Sequence, residues 1–354
     1  MNTISTIVIG AGQAGLATAR ELIERGQSCL VLDRNDRVGD GWRQQYDSLT
    51  LYSPAGLDGL PGLPFPGPAH SFPGKEQVAD YLEEYAAHFD LPIRLGVRVE
   101  RLSATESGYR VTTDQGEFRA RNVVVATGTF GRTPSIPRFA GELDPAILQL
   151  HSSEYRRPSQ LADGPALVVG ASHSGCDIAY ELALTRPTTL VGRDCGQLPL
   201  NWDSRSIHLM LPLVVFAWRH VLTRRTPIGR KVMTEVRSHG GPMLRVKREH
   251  LAARGVVRNT ARVTGVRDGR PELGDGTVLD VGNVVWATGF HQQLDWIDLP
   301  ISGADGWPRE YRGVVDSAPG LYFCGLAFQF AFASHVLAGV GRDSAYIAKQ
   351  IVSR

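Results

Sequence analysis

Apolar positions along this chain gather in short runs that end at glycine and give way to helical spacing, and they do so twice. Ile7-Val8-Ile9 runs into Gly10-Ala11-Gly12. From Leu16 to Arg25 the apolar positions recur at three- and four-residue spacing, Gly26 stops the helix, and Ser28–Leu32 reads as a second strand ending in Asp33. The second passage has the same plan: Ala166–Val169 runs into Gly170, a helix is predicted over Cys176–Leu184, and a strand over Thr188–Val191. Two more apolar strands, Val123–Val125 and Val284–Trp286, each lead into Ala-Thr-Gly. From Gly10 to Ala126 is 116 residues and from Gly170 to Ala287 is 117, so the plan is repeated in register. Beyond it come an apolar tract over Leu209–Trp218, an apolar run Ala327–Phe332, and a final helix predicted over Ser344–Val352.

The pattern predicts an α/β fold of two nested Rossmann-like dinucleotide-binding domains. The first spans 1–160 and 291–354, and the second, 161–290, is inserted in it, with a basic, partly apolar insertion at about 198–250. In the first motif Gly10 makes the tight turn, Gly12 lets a pyrophosphate approach, Gly15 lets helix pack on strand, and Asp33 is placed for a ribose diol. In the second, Ser172 replaces the middle glycine of Gly170-Ala171-Ser172-His173-Ser174-Gly175. Its second strand ends in Gly192-Arg193 in place of a carboxylate, which favours the 2′-phosphate of NADPH over NADH.

Composition narrows the class. The chain has 354 residues, 42% hydrophobic and 21% charged, which suits about two domains with real cores. Its net charge of +2 hides a contrast. Arg219–Arg258 carries eleven basic residues against Glu235 and Glu249, a local +9, while the remainder is −7. A basic surface near an NADPH site would raise encounter rate, and nucleic acid is not needed to explain it. The simplest reading of 198–250 is an amphipathic cover helix with its basic residues toward solvent. Cys29, Cys176, Cys195 and Cys324 are scattered, without a C-x-x-C pair or a zinc-ligand cluster, so neither a disulfide framework nor a metal is expected. The chain starts directly on an apolar strand, which reads as cytoplasmic, and Leu209–Trp218 is too short for a membrane span.

With these motifs the sequence resembles the class B flavoprotein monooxygenases, nearest the flavin-containing monooxygenases and the bacterial flavoproteins similar to plant YUCCA-type enzymes. The likeness runs through Gly39-Asp40-Gly41-Trp42-Arg43, Tyr46–Leu49, Ser53-Pro54, His151–Arg156, Ala287-Thr288-Gly289-Phe290 and Gly320–Leu326. Four positions depart from it. Pro145 and Ile147 stand where the monooxygenase fingerprint has Phe and Gly, Tyr155 where Baeyer–Villiger members have Trp, and Pro54 where some members place Asn.

The resemblance implies FAD in the first site, held through Gly10, Gly12, Gln13, Ala14, Gly15, Asp33, Arg34, Gly41, Trp42, Arg43, Thr127, Gly128 and Gly325. It implies NADPH in the second, on Gly170, Ser172, His173, Ser174, Gly175, Arg193, Thr288 and Gly289. NADPH would reduce FAD, O₂ would form a flavin C4a-hydroperoxide, and one oxygen would pass to a small organic substrate by N- or S-oxygenation or hydroxylation. Ser53 and Gln329 are the candidate catalytic side chains, and His151 either meets NADP⁺ or couples the domains. Two other readings stay open: an NADPH-dependent reductase of a quinone or carrier, and an NADPH-sensing protein that has lost chemistry. Oligomerisation is also open.

Overall fold

The computed structural model describes residues 3–129, 133–202, 204 and 206–354, without the side chains of residues 238 and 239. The N-terminal segment contributes β1 (Ile4–Ile9), β2 (Cys29–Leu32), β3 (Ile93–Arg94), β4 (Val99–Thr105), β5 (Gly108–Thr113) and β6 (Gly116–Val125). The chain leaves through β7 (Thr133–Pro134) to β8 (Leu148–His151), β9 (Ala166–Val169), β10 (Thr188–Val191), β11 (Val257–Asn259), β12 (Val263–Arg267), β13 (Arg270–Leu273) and β14 (Asn283–Trp286). It returns through β15 (Phe290–His291) to β16 (Ile297–Asp298) and β17 (Leu321–Phe323). The helices are α1 (Gln13–Glu24), α2 (Asp40–Arg43), α3 (Lys75–His88), α4 (His173–Leu182), α5 (Ile207–His220), α6 (Pro227–His239), α7 (Arg248–Ala253) and α8 (Leu337–Val352).

Two sheets result. The first runs β16-β4-β5-β6-β1-β2-β3, with β17 also on β6. Its ten-residue β6 serves two partnerships: the first half pairs antiparallel with β5, and the second pairs parallel with β1 and β17. The second sheet, β11-β10-β9-β14-β8, is parallel throughout. Parallel strands are covered on both faces and read as continuous apolar runs, which is why Ile7–Ile9, Val123–Val125 and Ala166–Val169 are all buried. In the first sheet Val8, Val31 and Val124 face α1, α3 and α8, while Ile7, Ile9, Val123 and Val125 face the cluster around Leu102, Val111 and Leu321.

β7 and β15, the outward and return passages, pair antiparallel. Thr288 Oγ1 donates to Ser135 O, and the Ser135 N–H reaches Gly289 O at 2.9 Å. The inserted unit thus enters and leaves through one two-stranded ribbon. The boundary expected at residue 160 falls late, because β8 already pairs with β14 in the second sheet. Its short run Leu148-Gln149-Leu150 alternates and gave no strand signal of its own.

The last helix also begins earlier than its pattern suggests, at Leu337. Gly339 and Gly341 read as helix breakers, but here they are contact points. A Cβ on Gly339 would lie 2.1 Å from Ala333 O, and one on Gly341 2.6 Å from Pro61 Cγ.

Candidate active site: two nucleotide cradles brought together

The two glycine motifs fold to the same local geometry. Gly10 and Gly170 have φ of +109° and +110°, and their N–H groups reach Leu32 O and Val191 O at 2.7 and 2.8 Å. A Cβ on Gly10 would stand 2.6 Å from Ala126 O, and on Gly170 2.2 Å from Ala287 O. The Ala-Thr-Gly repeat is thereby explained: each tripeptide's alanine carbonyl presses on the first glycine of its motif. A Cβ on Gly15 or Gly175 would lie 1.8 Å from the carbonyl oxygen of Gly10 or Gly170, so both positions exclude any side chain.

Gly12 behaves differently. A Cβ there meets nothing within 4 Å, so protein packing does not require glycine at that point. Open space at the N-terminus of α1 fits a pyrophosphate. Asp33 stands beside it, accepting from Ala11 N at 2.6 Å and Asn35 N at 2.8 Å. Gln13 Oε1 accepts from Trp42 Nε1 at 3.3 Å, and its Nε2 donates to His335 O at 3.2 Å. This ties Trp42 and the chain before α8 to the first turn of α1.

Ala14 meets Gly325, where a Cβ would come within 2.6 Å of the Ala14 methyl. Thr129 Oγ1 accepts from Ala327 N at 2.6 Å, drawing the turn after Thr127-Gly128 to the same place. Gly41 and Arg34 are exposed.

Two expected cofactor or catalytic residues are engaged elsewhere. Arg43 donates to Val38 O and Asp80, at 2.7 and 2.9 Å, and pairs with Asp40 and Glu83, so it fastens α2 to α3. Gln329 is wholly buried, with Nε2 in the space left by Gly313 and Oε1 accepting from Leu326 N at 3.4 Å. Its side-chain carbonyl braces its own loop, and its Nε2 is enclosed without a hydrogen-bond partner. Ser53 is also buried, and its Oγ donates to Asp58 Oδ1 at 2.6 Å. Burial pushes the Asp58 carboxyl up to about 7, and its second oxygen has no partner.

At the second cradle Ser172 Oγ donates to Gly241 O at 2.9 Å, and His173 packs under Gly241. Desolvation lowers the His173 pKa, and its Nε2 is enclosed without a hydrogen-bond partner. Ser174 is half-buried on the same turn. Arg193 is exposed at the end of β10, with Glu235 at 3.9 Å. Asp194 is held by Arg248 at 2.5 Å, while Arg258 donates to the carbonyls of Leu190 and Gly192. The acid beside Arg193 is thus neutralised, which leaves that guanidinium as the group at the strand end.

His151 is fully buried. Ser153 N–H donates to Nδ1, so the ring proton sits on Nε2 and donates to Gly289 O at 3.0 Å. It couples the end of β8 to the turn after β14.

Residues that sequence reasoning passed over join the cradles. Tyr46 donates to Asp177 Oδ2 on α4 at 2.9 Å, and the Tyr52 ring lies 5.9 Å from His173. The loop after Trp42 therefore sits on the first turns of α4, at the mouth of the second cradle. Burial raises Asp177 to about 6. Gly240-Gly241-Pro242 was a readable turn signal; Tyr46 stood in a stretch that carries the family likeness but was given no role, and Tyr52 had no signal of its own.

The basic stretch is largely structural. Arg224 pairs with buried Glu310 at 2.5 Å and donates to Gln329 O, and Arg237 donates to Ala327 O while stacking on Trp307 at 4.2 Å. Both bind the inserted unit to the loop between β17 and α8.

Comparison with known proteins agrees with this geometry. The pyridine nucleotide-disulphide oxidoreductase family profile matches residues 7–199. The chain is 36% identical over 352 residues to an uncharacterized oxidoreductase, CzcO-like, of Geobacillus kaustophilus, covering 99% of both chains. It is 37% identical over 199 residues to the indole-3-pyruvate monooxygenase YUCCA1 of Oryza sativa, covering 54% of this chain and 49% of that one. A flavin-containing monooxygenase from Stenotrophomonas maltophilia superposes with a TM-score of 0.80 at 26% identity, covering 100% and 99%. The chain therefore belongs to the pyridine nucleotide-disulphide oxidoreductase family, and its similarity extends to YUCCA-type and flavin-containing monooxygenases.

Proposed function

We propose that this protein uses NADPH and O₂ to oxygenate a small organic substrate at nitrogen, sulfur or carbon. The observation that carries the reading is the seat of Tyr46 and Tyr52 on α4, which joins the flavin-side loop to the nicotinamide-side cradle. Bound FAD would supply hydride acceptance and oxygen activation. The protein's part is binding, orientation and shelter. Backbone N–H groups at the α1 and α4 N-termini would hold the phosphates, Asp33 would take the first ribose, and Arg193 would take the 2′-phosphate.

Shelter comes from the inserted unit. Leu200, Trp202, Ile207 and Leu211 pack on Tyr52, Leu57 and Phe72, and Trp202 Nε1 donates to Tyr52 O at 3.2 Å. Covering this loop excludes water from the reacting centre, where water would release the activated oxygen as peroxide.

The cysteines argue against disulfide reduction. None is in a disulfide, and burial raises Cys29 to about 11 and Cys176 and Cys324 to about 12, which keeps them as thiols. The test is stoichiometric. NADPH should bleach the bound flavin without oxygen, and readmitted O₂ should give product in proportion to NADPH consumed. A flavin that NADPH does not reduce overturns the reading, and full NADPH turnover with no oxygenated product from any amine, thioether or oxo-acid tested favours a reductase.

A further inference from the structure

α5 is apolar on opposite sides. Ile207, Leu211, Val215 and Trp218 form one stripe, buried against Tyr52, Leu57 and Phe332. Leu209, Leu213 and Phe216, three and four residues apart, form the opposite stripe and are 79%, 70% and 59% exposed. This reverses the expectation of basic residues on the outer side of a cover helix. A helix apolar all round is normally enclosed. Here Met210, Val221 and Ile228 extend the exposed apolar surface toward α6.

The stretch of chain that forms and follows that face carries one sign of charge. From Ser204 to Thr234 the sequence has no Asp or Glu. Arg225, Arg230 and Lys231, which follow α5 in the chain, are exposed, and the His220 ring lies 4.7 Å from that of Phe216. A second copy docked isologously on this face would bring like charges together. An anionic lipid surface answers both halves of the pattern, with acyl chains for the leucines and phenylalanine and headgroups for the guanidinium and ammonium groups.

We propose that the outer face of α5, with the basic residues at the start of α6, docks this protein on anionic lipid bilayers. Fourteen residues at about 1.5 Å each give a helix ~21 Å long, suited to lying in the interface and too short to cross it. Among the described residues no helix is long and apolar enough to cross a membrane. Arg219, in the last turn of α5, lines a cleft of about 490 Å³ together with Leu57, Leu60, Leu63, Leu337 and Arg342.

The test is flotation of the FAD-loaded full chain with phosphatidylcholine vesicles, with and without phosphatidylglycerol. Wild type should float with the anionic vesicles only, and less as salt rises. Each basic side chain near such a surface contributes about fivefold, so Arg225→Gln/Arg230→Gln/Lys231→Gln should lower partitioning by roughly a hundredfold. Leu213→Ser/Phe216→Ser should lower it by at least about tenfold. Both variants change exposed side chains, so their melting temperatures should match wild type. Wild type that stays unbound on anionic vesicles overturns the proposal. So does binding that neither variant weakens. A wild-type dimer that Leu213→Ser/Phe216→Ser converts to monomer in light scattering assigns the face to a second copy instead.

Discussion

Asp58 should make the protein's stability depend on pH in a way that one substitution removes. Its side chain is 1% exposed, with the Ser53 hydroxyl at 2.6 Å on one oxygen and nothing on the other. Burial raises its pKa from 3.8 to about 7. The folded chain therefore holds this proton more tightly than the unfolded chain. Its stabilising contribution is complete below about pH 4 and is lost as pH rises through about 7. Three units at about 1.36 kcal/mol each put the full span near ~4 kcal/mol, of which ~3 kcal/mol falls between pH 5 and pH 8.

Asp58→Asn keeps the shape and the acceptor for Ser53 and does not titrate. Its unpartnered amide adds a constant penalty of about 1–3 kcal/mol at every pH. The wild-type-minus-variant difference should thus move by ~3 kcal/mol in the variant's favour between pH 5 and pH 8. For a chain of 354 residues, unfolding entropy of about 2 cal/mol/K per residue converts this to ~4 °C in Tm. Thermal melts of the FAD-loaded protein at both pH values measure it. A Tm gap that stays constant within a degree would refute a buried, titrating Asp58.

Three further outcomes follow from the same geometry. Gly12→Ala should fold with an unchanged melt in the FAD-free state and lose FAD affinity at least about tenfold, whereas Gly15→Ala, with a Cβ 1.8 Å from Gly10 O, should fail to accumulate as folded protein. FAD titration and expression level separate them, and equal behaviour of the two would remove Gly12 from the cofactor site. Arg193→Ala should raise KM for NADPH by roughly tenfold and leave KM for NADH nearly unchanged. Equal changes would show that this exposed arginine does not meet the 2′-phosphate. Arg224→Ala leaves Glu310 buried with Arg237 at 3.8 Å, and should cost about 3–5 kcal/mol of stability, read as an earlier melt; a loss under 1 kcal/mol would contradict the clamp.

The cradles were legible because their chemistry is local. Gly15 and Gly175 are demanded by backbone contacts within one strand-turn-helix, Gly10 and Gly170 by the positive φ of the turn itself, and Asp33 by the strand end that follows. Arg43 and Gln329 were misleading for the opposite reason. Each stands in a recognisable stretch, but α3 claims Arg43 and Gly313 claims the space beside Gln329, and neither partner is near in sequence. The early boundary at β8 was hidden in a four-residue strand whose partner, β14, lies more than a hundred residues on.

By itself the sequence determined the nested α/β plan, the two dinucleotide sites, and the absence of a spaced redox cysteine pair, since strand runs, glycine turns and helix spacing are set by near neighbours. Tertiary structure decided how those sites meet. Tyr46 reaching Asp177, His151 bound to Gly289, and Arg224 and Arg237 spent on the loop before α8 are contacts between distant segments, so no local pattern announces them. It also decided which face of α5 looks outward. That helix is apolar on both sides, and only packing against Tyr52 and Phe332 distinguishes the buried stripe from the one left for a partner.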